Sequence, residues 1–120
     1  MKQLTLHGAG LGARRSFMNL LLEQEYSSQL PDFFEVAPEN WIGMGGRYAK
    51  QLRAYSERFA MVAHGLSLSI GGLKPLDTDF LLALKKFINT HHIQCYSEHL
   101  SYTGDAGHLY DLLPIPFAEE

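Results

Sequence analysis

An α/β fold of parallel βα units is predicted by two features: the order of short apolar runs and amphipathic segments, and the residues that follow each run. Four candidate strands, Leu4–His7, Phe33–Val36, Phe59–Ala63 continued through His64, and Ile93–Ser97, alternate with three candidate helices. Such alternation calls for crossover helices and a parallel sheet. Glycine and ionisable residues recur just past the strands, at the edge where parallel α/β sheets bind their ligands.

Each element has a local reason. Leu4–His7 is a short apolar-polar run that enters the glycine-rich turn Gly8–Ala13. Arg14–Tyr26 reads as a helix because Phe17, Leu20, Leu21 and Leu22 give it an apolar face with Glu23 and Glu25 outside. Pro31 breaks the chain before FFEV at residues 33–36. The segment APENW and the glycines Gly43, Gly45 and Gly46 then lead to a second helix, Arg47–Arg58, with Tyr48, Leu52 and Tyr55 at helical spacing. The stretch Met61–Gly72, MVAHGLSLSIGG, reads as a buried strand that delivers His64 into a glycine-flexible loop. Asp77 or Thr78 is an N-cap for a third helix to about Thr90, with Phe80, Leu81, Leu84, Phe87 and Ile88 on one face. His91–His92 closes that helix, where the cationic form would complement the dipole. Ile93–Ser97 is the fourth strand and contains Cys95, a thiol expected to be buried and inert. A turn-rich loop, Thr103–Gly107, and an extended segment, His108–Pro116, follow.

Composition narrows the function classes. With 120 residues, 46% hydrophobic and 19% charged, the chain supports one domain with a real core and is not a disordered polymer. A net charge of -3 with scattered basic residues offers no field for nucleic acid. The single cysteine excludes an internal disulfide and fits a reducing compartment. No stretch resembles a signal segment or a membrane span, so a cytoplasmic protein is expected.

Several constellations compete for the chemistry. Gly8-x-Gly10-x-x-Ala13 superficially resembles a dinucleotide fingerprint, but Arg14–Arg15 and the later Pro-Glu-Asn continue it poorly, and a tight βα turn is the better reading. Glu35 either faces a polar opening or pairs with Arg14 or Arg15, because an unpaired buried carboxylate is costly. Glu39 and Asn40 lie beyond the second strand, as site residues or as turn-formers. His64 and His99 each end a strand candidate, 35 residues apart, which is one βα unit. That spacing can set two imidazoles side by side on adjacent strands, where a divalent metal uses both. Glu98 reaches the same site only if its strand ends there, since alternation sends neighbours to opposite faces. Asp111 is either a site-side carboxylate or a turn residue. Ser67 and Ser69 have no nearby base in the sequence, and there is no nucleophile elbow.

Five segments in order, GAGLGARR (8–15), FFEVAPENW (33–41), AHGLSLSIGG (63–72), YSEHLSY (96–102) and YDLLPIPF (110–117), resemble the multinuclear non-haem iron oxidases represented by MbnB and TglH, formerly a domain of unknown function. The resemblance implies a TIM-type (βα)8 barrel similar to the sugar-isomerase and endonuclease-IV barrels. It implies two or three irons at the carboxyl ends of the strands and dioxygen-dependent oxidation of cysteine in ribosomally made peptides, with a partner protein presenting the peptide. It puts His64 and His99 on metal-ligand positions, and Glu39, Asn40 and Glu98 on positions behind the ligands or beside the substrate.

A TIM barrel needs about 250 residues, so residues 1–120 correspond to a single incomplete domain, the amino-terminal half. The expectation is a fragment or truncated product, not fully active alone, whose remaining glutamate, aspartate and histidine ligands lie in the other half. Open strand edges would favour a homodimer. Two other classes satisfy the same residues: a metal-dependent hydrolase or isomerase of the same barrel type, and a non-enzymatic degenerate fragment.

Overall fold

The computed structural model describes residues 6–23, 30–103 and 112–116. Four strands, β1 (Gly10–Gly12), β2 (Phe33–Val36), β3 (Met61–Gly65) and β4 (Tyr96–Glu98), form one parallel sheet in chain order. The connecting helices are α1 (Arg15–Glu23), α2 (Gly46–Arg58) and α3 (Thr78–Thr90), with a 3-10 turn at Pro38–Asn40. Strands β5 (Ser101–Thr103) and β6 (Leu112–Pro114) make a separate antiparallel pair. The α/β class and the parallel βα order are therefore as expected, and the sheet is compatible with the amino-terminal half of a TIM barrel.

Strand alternation divides the sheet into two faces. Phe34, Val36, Met61 and Ala63 point to the helices and pack with Met18 of α1, Leu52 and Tyr55 of α2, and Phe87 of α3. Phe34, Tyr55 and Phe59 form an aromatic triangle with centroids 4.6–5.1 Å apart. Burying each such side chain stabilises the fold by about 1.5–3 kcal/mol. The other face carries Glu35, Val62, His64 and Ser97 in paired register.

Three strand boundaries differ from the sequence expectation. The third strand starts at Met61 rather than Phe59, because Phe59 caps α2 with its N–H on Tyr55 O. The first strand is Gly10–Gly12, not Leu4–His7. Leu6 and His7 are not strand, and Leu4–Thr5 lie outside the described residues. Three residues of GLG carry no side-chain signal for a strand; the backbone alone makes it. Glycine is needed at position 10 because a Cβ there would come within 2.1 Å of the Phe33 ring. Regular β4 starts at Tyr96 rather than Ile93. The end of α3 occupies the difference: His92 is left-handed (φ 51°) and Ile93 N–H bonds back to Ile88 O, a Schellman-type ending. Cys95 consequently precedes the strand and is half-buried.

The α3 start is as expected. Asp77 caps it, with Oδ1 accepting from Asp79 N–H and Phe80 N–H, each at 3.0 Å. The three-residue β5 was not anticipated. His108 and Asp111, and most of the loop 103–107, lie outside the described residues.

His91 does not serve α3 as a cation. Its ring is buried against Phe87, and Nδ1 lies 3.0 Å from Ser56 Oγ on α2. Ser56 Oγ donates to Arg53 O, so Nδ1–H of His91 donates to Ser56 Oγ. Burial lowers its pKa, and the positive charges of Arg53 and His92 lower it further. The folded state thus disfavours protonated His91. Its contribution is full above the unfolded value near 6.5 and is lost as pH falls through that value toward the lower folded one. Urea unfolding at pH 7.5 and 5.5 should show lower stability in acid, and His91→Gln should flatten that dependence; an unchanged slope in the variant would contradict the assignment.

Candidate functional site

Adjacent strands deliver the two histidines. In the β3–β4 ladder His64 stands opposite Ser97 and Gly65 opposite Glu98. His99 follows the last residue of β4, so its ring escapes strand alternation and turns toward His64. The two Nε2 atoms are 3.1 Å apart, with ring centroids 4.5 Å apart at 63°. Nδ1 of His64 is 2.8 Å from Ser97 Oγ. Both rings are partly buried.

The pair fits one metal ion. Two nitrogens about 2.0–2.1 Å from a common divalent ion lie about 3 Å apart when they meet at roughly a right angle. Imidazole suits several first-row metals. No group of three or more histidine, cysteine, aspartate or glutamate side chains gathers in metal-binding range among the described residues.

The carboxylates act on the main chain around this pair. Glu39, in the 3-10 turn after β2, places Oε1 where it accepts from Leu66 N–H at 2.7 Å, Ser67 N–H at 3.0 Å and Ser67 Oγ–H at 2.9 Å. It thereby holds the loop immediately after His64–Gly65. Its Oε2 is buried and has no partner among the described residues. The sequence showed no base for Ser67, because Glu39 reaches it from another βα unit. Glu98 lies on the helix side of β4, away from the imidazoles. Its Oε1 accepts from His99 N–H at 2.9 Å, and its Oε2 accepts from the Tyr96 hydroxyl at 2.5 Å. Burial raises the Tyr96 pKa well above its usual value, helped by the Glu98 hydrogen bond and by the charges of Glu98 and Glu39.

Asn40 contributes its backbone. Its carbonyl accepts from the Arg15 guanidinium, which also lies over the Trp41 and Tyr48 rings at 4.8 and 5.0 Å. Arg15 is thus committed to the Glu39-bearing turn, and Glu35 stands exposed on its strand rather than paired with it. Between the loop after β3 and the β5–β6 hairpin lies a groove of about 800 Å³, lined by Ser67, Ser69, Gly71, Lys74, Tyr102 and Thr103 among others.

A parallel βα sheet with two imidazoles meeting at the carboxyl ends of neighbouring strands defines the class: an α/β protein compatible with the amino-terminal half of a TIM barrel, a fold that binds its ligands at those strand ends. The sequence model for the RiPP precursor modification enzymes MbnB/TglH/ChrH matches residues 8–120, and the chain belongs to that family. It is 56% identical over 116 residues to a UPF0276 protein of Alcanivorax borkumensis, covering 94% of this chain and 39% of the relative. It is 56% identical over 114 residues to one of Acinetobacter baylyi, covering 95% and 39%, and 50% identical over 120 residues to one of Pseudomonas aeruginosa, covering 100% and 42%. The chain therefore spans about two-fifths of the length of these relatives. Among the described residues no helix is long and apolar enough to cross a membrane.

Two substitutions test this geometry. Glu39→Ala leaves three donors without their acceptor and should destabilise the protein by about 1–3 kcal/mol, with faster amide exchange at Leu66 and Ser67; unchanged exchange would dismiss the clamp. Gly65→Ala puts a Cβ 2.0 Å from the Tyr96 hydroxyl and 2.1 Å from Glu98 Oε2. It should displace both side chains and cost about 1–3 kcal/mol in denaturant unfolding.

Proposed function

We propose that the chain carries two ligands of an iron site in an oxidase that modifies cysteine in ribosomally made peptides. The observation that supports this reading most is the 3.1 Å approach of His64 Nε2 to His99 Nε2 at the strand ends, in a chain of a RiPP-modifying family. His64 and His99 would hold the metal as neutral imidazoles. Iron, when bound, supplies the binding of dioxygen and the redox equivalents that cysteine oxidation needs.

Glu98 holds the main chain of His99, and Glu39 holds the loop after His64, so each ligand enters the site on a backbone already fixed by a carboxylate. The groove beside that loop has a volume of about 800 Å³, room for a short peptide segment, and we assign it to the substrate. The remaining metal ligands, two or three irons and a peptide-presenting partner belong to this proposal as properties of the whole protein, of which residues 1–120 would form one incomplete barrel domain.

Metal analysis after loading with ferrous iron tests the site. The wild-type chain should bind iron, and His64→Ala and His99→Ala should each weaken binding at least roughly tenfold, because a direct ligand matters no less than the partners behind it. Equal, negligible iron in all three would end the proposal. Turnover of a cysteine-containing peptide should stop without dioxygen; persistence under anaerobic conditions would point instead to a metal-dependent hydrolase or isomerase.

A further inference from the structure

We propose that Ser97 is a positioning residue for His64: its hydroxyl oxygen accepts a hydrogen bond from Nδ1–H and so leaves the Nε2 lone pair of His64 facing His99, where a divalent transition metal takes it. This inference rests on the metal reading of the histidine pair.

A neutral imidazole has one N–H and one lone pair, so the partner of one nitrogen fixes the role of the other. Nδ1 of His64 has Ser97 Oγ at 2.8 Å, and Nε2 has the Nε2 of His99 at 3.1 Å. Two Nε2 atoms can bind one ion only if both present lone pairs. His64 must then carry its proton on Nδ1, and the atom in place to receive it is Ser97 Oγ. A hydroxyl suits this task because it both accepts and donates; accepting from the ring leaves its own hydrogen free to point elsewhere.

The placement follows from the ladder. His64 and Ser97 are direct partners in the parallel pair, on the same face of the sheet. A one-residue shift would put Tyr96 or Glu98 opposite His64, and those side chains are engaged with each other on the helix side. Consecutive residues of β4 and its end thus act in three directions. Ser97 orients the ring of His64, Glu98 holds the backbone of His99, and His99 offers its own nitrogen. Metal-bound histidines generally donate their second nitrogen to an oxygen that fixes tautomer and ring orientation, and losing that oxygen weakens binding by about 10–100-fold. Ser97 is exposed, so water can replace its hydroxyl in part, and the lower end of that range applies here.

Zinc is the probe, because it is diamagnetic and binds imidazole. In the zinc-loaded wild-type chain, nitrogen-15 NMR of the imidazoles should show His64 protonated at Nδ1, with that proton protected from exchange. Ser97→Thr and Ser97→Val differ in shape by little more than the hydroxyl. The threonine variant should keep both the protected proton and the zinc affinity; the valine variant should lose the protection and bind zinc about tenfold more weakly. Thermal melting of the two apo variants should coincide, which separates positioning from a general loss of fold. Equal zinc affinity and an equally protected Nδ1 proton in both variants would overturn the role of Ser97 alone, provided His64→Ala abolishes zinc binding. Zinc binding unaffected by His64→Ala would overturn the metal reading, and the role of Ser97 with it.

Discussion

The register of β3 against β4 is the constraint on which the rest depends. Side chains alternate along a strand, so a shift of one residue would send His64 toward the helices and Ala63 to the opposite face. The core fixes the register. Met61 and Ala63 must be buried against α2 and α3 residues, and Tyr96 packs beside them. With these anchored, His64 has no choice of face. Gly65 must lack a side chain, because its partner Glu98 and the Tyr96 hydroxyl fill the space a Cβ would need. Hydrophobic burial thus sets the geometry of a polar site that shares none of its atoms.

The two glutamates illustrate how that site is kept in place. A carboxylate removed from water is costly unless donors surround it. Glu98 meets the cost with the Tyr96 hydroxyl and the His99 amide, and Glu39 with two amides and the Ser67 hydroxyl. Both therefore stiffen the main chain on either side of the histidines rather than offering both oxygens to a ligand. The exception is Glu39 Oε2, which is buried without a partner among the described residues. Such an atom raises the free energy of the fold. Its position in the turn below the loop after His64 places that strain next to the candidate site and not in the distant core.

What was legible in the sequence depended on how local the signal is. FFEV, the helices α2 and α3 and the Asp77 cap are written in periodicity and capping chemistry over a dozen residues, and they appear where expected. The meeting of His64 and His99 was legible because one βα unit fixes the offset between adjacent strand ends. Strand β1 was not, because Gly10–Gly12 forms it by backbone pairing with β2 alone. The neutral role of His91 was hidden for a different reason: its partner Ser56 lies on another helix, and helix ends favour a cation by default. The Glu39–Ser67 contact was likewise invisible, since it joins two loops that only the folded sheet brings together.

The interactions that bring the histidines together all lie within β2 to β4 and the turn after β2. The ladder supplies the offset, Ser97 faces one ring, Glu98 ties down the backbone of the other, and Glu39 closes the loop between β3 and the groove. None of these requires an atom from beyond the described residues. The chain spans about two-fifths of its relatives, yet this corner of the site is internally specified. The two imidazoles are therefore arranged by local packing before any further ligand is considered, and a metal would join a pair of nitrogens already the right distance apart.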